Sequence, residues 1–548
     1  MKSPTVSPGT ALAPPTVATP ASDVVPRPPV PPPVAGPGPS RAFTAAVPAG
    51  LVVALGLWGI TRQNSMWRDE AATWQVARRD LPEIWHLVGH ADVVHGLYYA
   101  LMHVVFEVFG DSLPTLRAPS VLAMAAAAAL VADLGARLAG RWSGLGAGLA
   151  FALVPAVQTY TQEGRPYAMV TAMVALATWL LVSALHNPRA RTWTAYALVV
   201  LLGALLNWFS LLALLAHAAT LVLARPDRTV LTRWLLAAGT AVLGALPLVL
   251  ASQSQSRQVS WIPPAGPGTM WLVAGTVLVA GGCALLRQAR EPAGPTSAAA
   301  GNPSLAAVAV PLCAVPQMTL LAVSLTWRPL YVSRYVLFAH IGLALMLGVL
   351  IAALARSLAV RPTVLLAAAT ALAFLALLPA ERQIRSVESR VDDVLAAAAL
   401  VEAAGGRGDA VVFLPSARRD TALVTPSAFD GLRDIALAGS PAGSATLHGI
   451  ETAPDTTARA MLRERRIILI SDAEPRRALT ARDRAKTRVL RKHFVVRSTL
   501  VQRGRSVTVY ERADGRGDGG PAADRPSRDD RLGAPPSPRV DRARGGRP

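Results

Sequence analysis

Residues 93–109 read VVHGLYYALMHVVFEVF, and this stretch decides how the chain is laid out. It is apolar enough to enter a membrane, yet it carries His95, His103 and Glu107 and falls short of the roughly 20 apolar residues of a comfortable span. Around it lie eleven stronger candidates, at 43–60, 118–137, 143–160, 166–185, 193–206, 208–223, 234–251, 269–286, 304–325, 334–355 and 361–379. Short basic connectors separate them, at Arg137–Arg141, Arg189–Arg191, Arg225–Arg233, Arg287–Arg290 and Arg356–Arg361. Cytoplasmic loops gather Lys and Arg. All five connectors and the N-terminal tail share one side only if 93–109 lies in the membrane plane. The pattern therefore predicts a polytopic α-helical membrane protein with about eleven transmembrane helices and a cytoplasmic N-terminus. The loop 61–117, the turn 161–165, the loop 252–268, the turn 326–333 and the C-terminal region then face outward.

Composition agrees. Hydrophobic residues make up 52% of the 548 positions and charged residues 16%, against about 25% charged in soluble proteins. Mean hydropathy is +0.37. The net charge of +20 would suit nucleic acid, but the cations sit between apolar segments, so the expected partner is a membrane surface and no nucleic acid. Cys283 and Cys313 are the only cysteines, which excludes a disulfide framework and a cysteine-based metal site.

Four regions follow. Residues 1–42, with PRPPVPPPVAGPGPS, read as a disordered Pro-rich tail, with no cleavable signal near Met1. Residues 43–379 form the transmembrane domain. Residues 380–510 change character: VDDVLAAAALVEAAGGRGDAVVFLP, RRIILIS and HFVVRSTLVQRGRSVTVYE read as a helix followed by strands, hence a small extracytoplasmic α/β domain. It lacks a phosphate loop or nucleophile elbow and reads as a lid or docking module. Residues 511–548 read as a second disordered tail, and AREPAGPTSAAAGNPS at 289–304 as a loop.

Unusual polar residues collect on the predicted outer side. MWRDEAATWQVARR (66–79) places Asp69 and Glu70 just past the first span. Asp69, at the membrane edge, is suited to take a proton from an acceptor hydroxyl; the alternative is a solvated loop carboxylate or a helix N-cap, and Arg68 is a ready ion-pair partner for either carboxylate. TYTQEGRPYAM (159–169) sets Gln162, Glu163, Arg165 and Tyr167 between two apolar helices, costly unless they face water or a ligand. Glu163 could bind a sugar hydroxyl, orient an acceptor or join Asp69 on a divalent cation. Arg165 could pair with Glu163 or reach a lipid phosphate. Arg257 and Trp261 in SQSQSRQVSWIPP, and Tyr331 and Arg334 in RPLYVSRY, complete the set. Arginine's paired donors fit phosphate oxygens, although any arginine at a span terminus also snorkels to lipid headgroups.

The order of these motifs resembles the GT-C glycosyltransferases, in the branch of protein O-mannosyltransferases, aminoarabinose transferases and RgtA-like proteins (glycosyltransferase family 39-like). Asp69-Glu70-Ala71 after a first span resembles their acidic motif. HGLYYALMHVVFEVFGDSLPTLRAPSVL (95–122) resembles their PPLYYLLLHLW…GDS…LRLPS segment, with His95-Gly96 where the family has Pro-Pro or His-Pro. GRWSGLGAGLAFALVPAVQTYTQEGRPYAM (140–169) is similar to a segment ending QEARPYAL, with Gly164 in place of Ala. PLYVSRYVLFAHIGLALMLG (329–348) resembles a late family segment. The resemblance spans about 43–360 and implies a GT-C fold with juxtamembrane helices in the first outer loop.

It further implies an inverting transferase (EC 2.4) that takes a sugar from a polyprenyl phosphate. In that reading Asp69, Glu70 and Glu163 are catalytic. Arg165, Arg257, Arg334 and Tyr331 bind the donor phosphate, and His95, Gln162, Tyr167 and Trp261 bind substrate. The acceptor is a hydroxyl on a glycan, lipid or protein at the outer face of the plasma membrane, in envelope synthesis. Mannose is the first expectation and arabinofuranose the second, both from the Ala, Arg and Gly bias of high-GC bacteria. No metal site is expected, with a divalent cation left open as cofactor. A lipid or glycan transporter and a non-catalytic assembly protein are the rivals; a transporter predicts related halves meeting at the midplane, and no internal repeat is visible.

Overall fold

The computed structural model describes Gly9 and residues 38–255, 262–290, 303–358, 360–474 and 479–513. The chain divides into two compact units: one runs to Ala396 and includes Gly439–Gly449, the other comprises Ala397–Ala438 and the chain from Ile450 onward.

The first unit is helical. α1 (Arg41–Leu57), α2 (Arg68–Ala77), α3 (Leu81–His90) and α4 (Gly96–Phe109) lead into α5 (Leu113–Ala139), α6 (Arg141–Leu153), α7 (Pro155–Thr161) and α8 (Tyr167–His186). Next come α9 (Ala190–Leu206), α10 (Leu212–Ala224), α11 (Arg228–Ser254), α12 (Pro267–Arg290), α13 (Leu305–Thr326), α14 (His340–Ser357) and α15 (Pro362–Ile384). Among the described residues seven helices are long and apolar enough to cross a membrane: α5, α8, α11, α12, α13, a segment Ser333–Ala355 that contains most of α14, and α15. Shorter apolar helices at Arg41–Leu57, Ala190–Leu206 and Trp208–Ala224 fall on three more of the expected spans. The expected span 143–160 is broken. Pro155 lacks the N–H to continue α6, so the chain restarts as α7, and the Gln158 side-chain amide donates to the Ala152 carbonyl at 2.6 Å.

Residues 93–109 form a 3₁₀ turn, Val93–His95, and the 14-residue α4. At about 1.5 Å per residue α4 reaches roughly 21 Å, less than the roughly 30 Å hydrocarbon core. α2, α3 and α4 together fill the first loop with short helices. Asp80 caps α3 and Ser112 caps α5 through side-chain oxygens. Glycines allow backbones to touch: a Cβ on Gly144 would overlap the Ala132 carbonyl, and one on Gly348 the Ala147 backbone, the small-residue packing of membrane helices.

The segment after α15, expected in the soluble domain from residue 380, instead packs within the first unit as far as Ala396. Arg385 donates to the Trp58 and Leu55 carbonyls at 2.9 and 2.6 Å. Asp392 accepts from Arg68 Nε at 3.1 Å.

The second unit holds a five-stranded sheet in the order β2-β1-β5-β7-β6, from β1 (Ala410–Leu414), β2 (Arg433–Asp434), β5 (Arg466–Asp472), β6 (Phe494–Gln502) and β7 (Arg505–Arg512). β1 pairs in parallel with β2 and β5, and β7 pairs antiparallel with β5 and β6. β3 (Leu437–Gly439) and β4 (Ile450–Glu451) form a separate pair. Strand alternation splits the core in two. Ala410, Val412, Ile467 and Leu469 pack with Met461, Val489 and Leu490, while Val411, Phe413, Ile468 and Ile470 pack with Val401 and Val507. The expected tails at 1–42 and 511–548 and the loop at 289–304 lie largely outside the described residues.

Candidate active site

Asp69 and Glu70 occupy the first turn of α2. Adjacent helical residues point about 100° apart, and the two carboxylates meet different surroundings. Glu70 is fully buried. Its Oε1 accepts from Arg117 Nε at 2.7 Å and from the Gly164 N–H at 3.1 Å; its Oε2 accepts from Arg117 Nη2 at 2.7 Å and from Arg62 at 3.4 Å. Burial alone would raise its pKa, but Arg117 and Arg62 outweigh burial and bring it to about 2. Arg62, also buried, is lowered by desolvation to about 9 although Glu70 pulls it upward.

This network clamps the 162–165 turn onto α2. Thr73 Oγ1 donates to the Gly164 carbonyl at 2.9 Å, Ser120 Oγ to the Glu163 carbonyl at 2.6 Å, and Arg62 to the Gln162 carbonyl. Gln162 is spent on structure, its amide donating to the Gly56 and Trp58 carbonyls at 2.8 and 2.6 Å. Gly164 is required by space, because a Cβ there would stand 2.5–3.0 Å from Leu116 side-chain carbons. Leu116 fills the room that the alanine of the resembling motif would use.

Asp69 faces the other way. Its side chain keeps 23% exposure, against 0% for Glu70 and 1% for Glu163. Arg334 Nη2 stands 3.4 Å from Asp69 Oδ2, and Arg165 Nη1 lies 3.4 Å from the Asp69 carbonyl. Arg334 also lies over the rings of Tyr167 and Tyr335, at 5.5 and 5.8 Å. Tyr160 meets Tyr167 edge-on, and Tyr335 stacks on Phe209 with centroids 4.6 Å apart. The site is thus a part-open carboxylate with two arginines and a tyrosine wall.

Glu163 pairs with Arg390 at 2.9 Å, not with Arg165; burial raises its pKa against the pull of Arg390. Its other oxygen is buried and has no hydrogen-bond partner among the described residues. Arg68 likewise turns from the acidic pair to Asp392. Arg165 meets His95 Nε2 at 2.9 Å. His95 lines a cavity of about 70 Å³ together with Asn207, Trp208, Gln253, Arg328 and Tyr335. Tyr331 is half-buried and held by its backbone N–H on Ser324 Oγ at 3.2 Å, outside this cluster. Arg257 and Trp261 lie outside the described residues.

The structure therefore brings Asp69, Arg165, Arg334, Tyr167 and His95 together. It adds Arg62, Asp92, Arg117 and Arg390, which sequence reasoning passed over. Arg117 carried a usable signal, a cation inside an apolar helix; Arg390 sits 227 residues from its partner Glu163 and carried none. Among the described residues no group of three or more His, Cys, Asp or Glu side chains gathers as a metal site.

Residues 96–251 match the family described as dolichyl-phosphate-mannose-protein mannosyltransferase. No curated protein matches the chain significantly. Among solved structures, apo ArnT from Cupriavidus metallidurans aligns with a TM-score of 0.54 at 11% identity, over 84% of this chain and 97% of ArnT. ArnT bound to undecaprenyl phosphate aligns at 0.48 and 11% identity, over 88% and 100%. Arabinosyltransferase EmbB from Mycobacterium smegmatis aligns at 0.40 and 19% identity, over 58% of this chain and 31% of EmbB. The fold assignment rests on the first of these, and the family match falls on α4 and the helices that follow it as far as α11. Residues 96–251 are thus similar to a glycosyltransferase family, and the chain is a polytopic membrane protein with the fold of the integral membrane enzyme ArnT, the GT-C fold.

Proposed function

We propose that the chain transfers a sugar, mannose first, from a polyprenyl-phosphate donor to an acceptor hydroxyl at the outer face of the plasma membrane. The observation that carries this reading is the part-exposed Asp69 carboxylate held beside Arg334 and Arg165, while Glu70 and Glu163 are buried against other arginines. One Asp69 oxygen takes the acceptor proton as the acceptor oxygen bonds to the anomeric carbon. The bond from that carbon to the phosphate oxygen breaks on the opposite side, so configuration inverts. The departing lipid phosphate keeps the electron pair, and Arg334 and Arg165 are placed to meet its charge with paired donors. Asp69 and the arginines exchange partners during this step; the long 3.4 Å Arg334–Asp69 separation suits a contact that must open.

Glu70, named above among the catalytic residues, takes a positioning role here. Its oxygens are committed to Arg117, Arg62 and Gly164, so it fixes α2 and the 162–165 turn rather than reaching substrate. Mannose is supported by the description of the matching family. The polyprenyl donor is supported by the same description and by the undecaprenyl phosphate held by ArnT, and the outward orientation by the five basic connectors. The test is transfer by membranes containing the chain, offered synthetic polyprenyl-phosphate mannose and, in parallel, the arabinofuranose donor. Product from the mannose donor supports the reading, and no product from any lipid-phosphate sugar refutes it.

A further inference from the structure

Asp92 and His95 stand just ahead of α4, and the resembling motif has Pro-Pro or His-Pro at the positions of His95-Gly96. Asp92 adopts a left-handed backbone conformation, φ 57° and ψ 34°, which opens the turn into Val93–His95. Its Oδ1 lies 2.7 Å from His95 Nδ1, and its Oδ2 accepts from the Tyr99 hydroxyl. The far ring nitrogen of His95, Nε2, lies 2.9 Å from Arg165 Nη2.

This chain of contacts fixes a protonation state. A guanidinium has donors and no acceptor, so His95 Nε2 must offer its lone pair to Arg165. The ring proton therefore sits on Nδ1 and is donated to Asp92, and the imidazole is neutral. Asp92 orients the ring, and the ring orients the guanidinium. Arg165 is held from one edge by His95 and at Nη1 by the Asp69 carbonyl, while its Nε is buried with no hydrogen-bond partner among the described residues.

We infer that Asp92 and His95 are positioning residues that hold the Arg165 guanidinium ready for the donor phosphate, and that they do so only while His95 is neutral. The inference rests on the reading above in which Arg165 receives that phosphate. Protonation of Nε2 would set an N–H against an N–H and a cation against a cation. The charged and titratable groups around His95 are Asp92 and Tyr99 on its own segment, Asp69 on α2, Arg165 on the 162–165 turn, and Arg328 and Tyr335 across the cavity. Burial first and Arg165 second lower the His95 pKa from its usual 6.5, with Asp92 pulling upward. The donor is a phosphodiester, which keeps one negative charge throughout this range. A loss of donor affinity below about pH 6.5 then reports the protein and not the ligand.

The test uses the full chain in lipid nanodiscs and binding of synthetic polyprenyl-phosphate mannose between pH 5 and 8. Wild type is expected to bind evenly above pH 6.5 and more weakly in acid. His95→Phe removes the acceptor and should raise Kd about tenfold across the range, the scale of one charge-assisted hydrogen bond. His95→Gln offers a carbonyl oxygen to Arg165 and cannot titrate, so it should recover most of that loss and bind evenly down to pH 5. Asp92→Asn should move the acid limb to lower pH. Equal melting temperatures guard against misfolding. An acid limb that survives in His95→Gln, or wild-type affinity in His95→Phe, overturns the inference while Arg165→Ala still weakens binding. Unchanged affinity in Arg165→Ala overturns the phosphate reading, and this inference with it.

Discussion

Replacing Glu70 by Gln separates two adjacent carboxylates that a sequence motif treats as one. In the native fold Glu70 is buried with four hydrogen bonds, three of them from two buried arginines. Gln keeps the shape but deletes the charge, and turns an amide N–H₂ toward guanidinium donors. Breaking a buried ion pair from one side costs about 3–5 kcal/mol, because the partner charge stays buried. The titration gives the same scale: a carboxyl moved from an ordinary 4.5 to about 2 corresponds to roughly 3 kcal/mol. At about 2 °C per kcal/mol, the low end for soluble domains, melting falls by about 6–10 °C. Folding depresses this pKa, so the stabilisation is full above the ordinary value and drains away as pH falls from about 4.5 through about 2. The melting gap between wild type and Glu70→Gln should therefore narrow below about pH 4.5. The assay is scanning fluorimetry of both proteins in one detergent at several pH values, with transfer measured alongside. A Glu70→Gln protein that melts like wild type yet transfers nothing would refute the reasoning and return Glu70 to the chemistry.

Arg334→Ala should weaken donor binding by about one to two decades, the worth of a charge-assisted phosphate contact of about 1.5–3 kcal/mol, with Arg334→Lys recovering part; unchanged donor affinity with lost acceptor use would move Arg334 to the acceptor side. Gly164→Ala should cost about 1–3 kcal/mol by overpacking against Leu116 and regain stability when Leu116→Ala is added, both read by melting temperature. Cysteines placed at exposed Thr61 and Asp111, on either side of 93–109, should label from the same face of sealed vesicles; labelling from opposite faces would make α4 a crossing helix.

Much of the fold could be read from the chain because its signals are local. Long apolar runs mark the spans, although the expected span 143–160 is interrupted at Pro155, and mixed polarity and short length set 93–109 apart from the rest. The short apolar runs in AVVFL and RIILISD mark two inner strands of the small sheet. ERQIRSVESRVDD looks like ordinary solvated sequence, yet its Arg385, Asp392 and Arg390 are spent on α1, α2 and the 162–165 turn, which carries the first unit past the expected boundary at 380. Inside the site, the motif puts Asp69 forward as the base but leaves Glu70 beside it in the catalytic set, because what sets Glu70 apart is Arg117, 47 residues away, and Arg62. Glu163 and Arg165 stand two residues apart and looked like a pair. The turn sends them to Arg390 and His95, contacts that only tertiary packing creates.

The central claim is that Asp69 is the base of a transfer from a polyprenyl phosphate. The most direct measurement is product formation by purified wild-type and Asp69→Asn protein in nanodiscs, given synthetic polyprenyl-phosphate mannose and a membrane extract as acceptor. Asp69 is part-exposed and its ion contact is 3.4 Å long, so Asn should leave melting within about 2 °C. Wild type is predicted to release free polyprenyl phosphate and a mannosylated product of inverted configuration, and Asp69→Asn to release neither while still binding donor. Equal turnover by the two proteins would contradict the account.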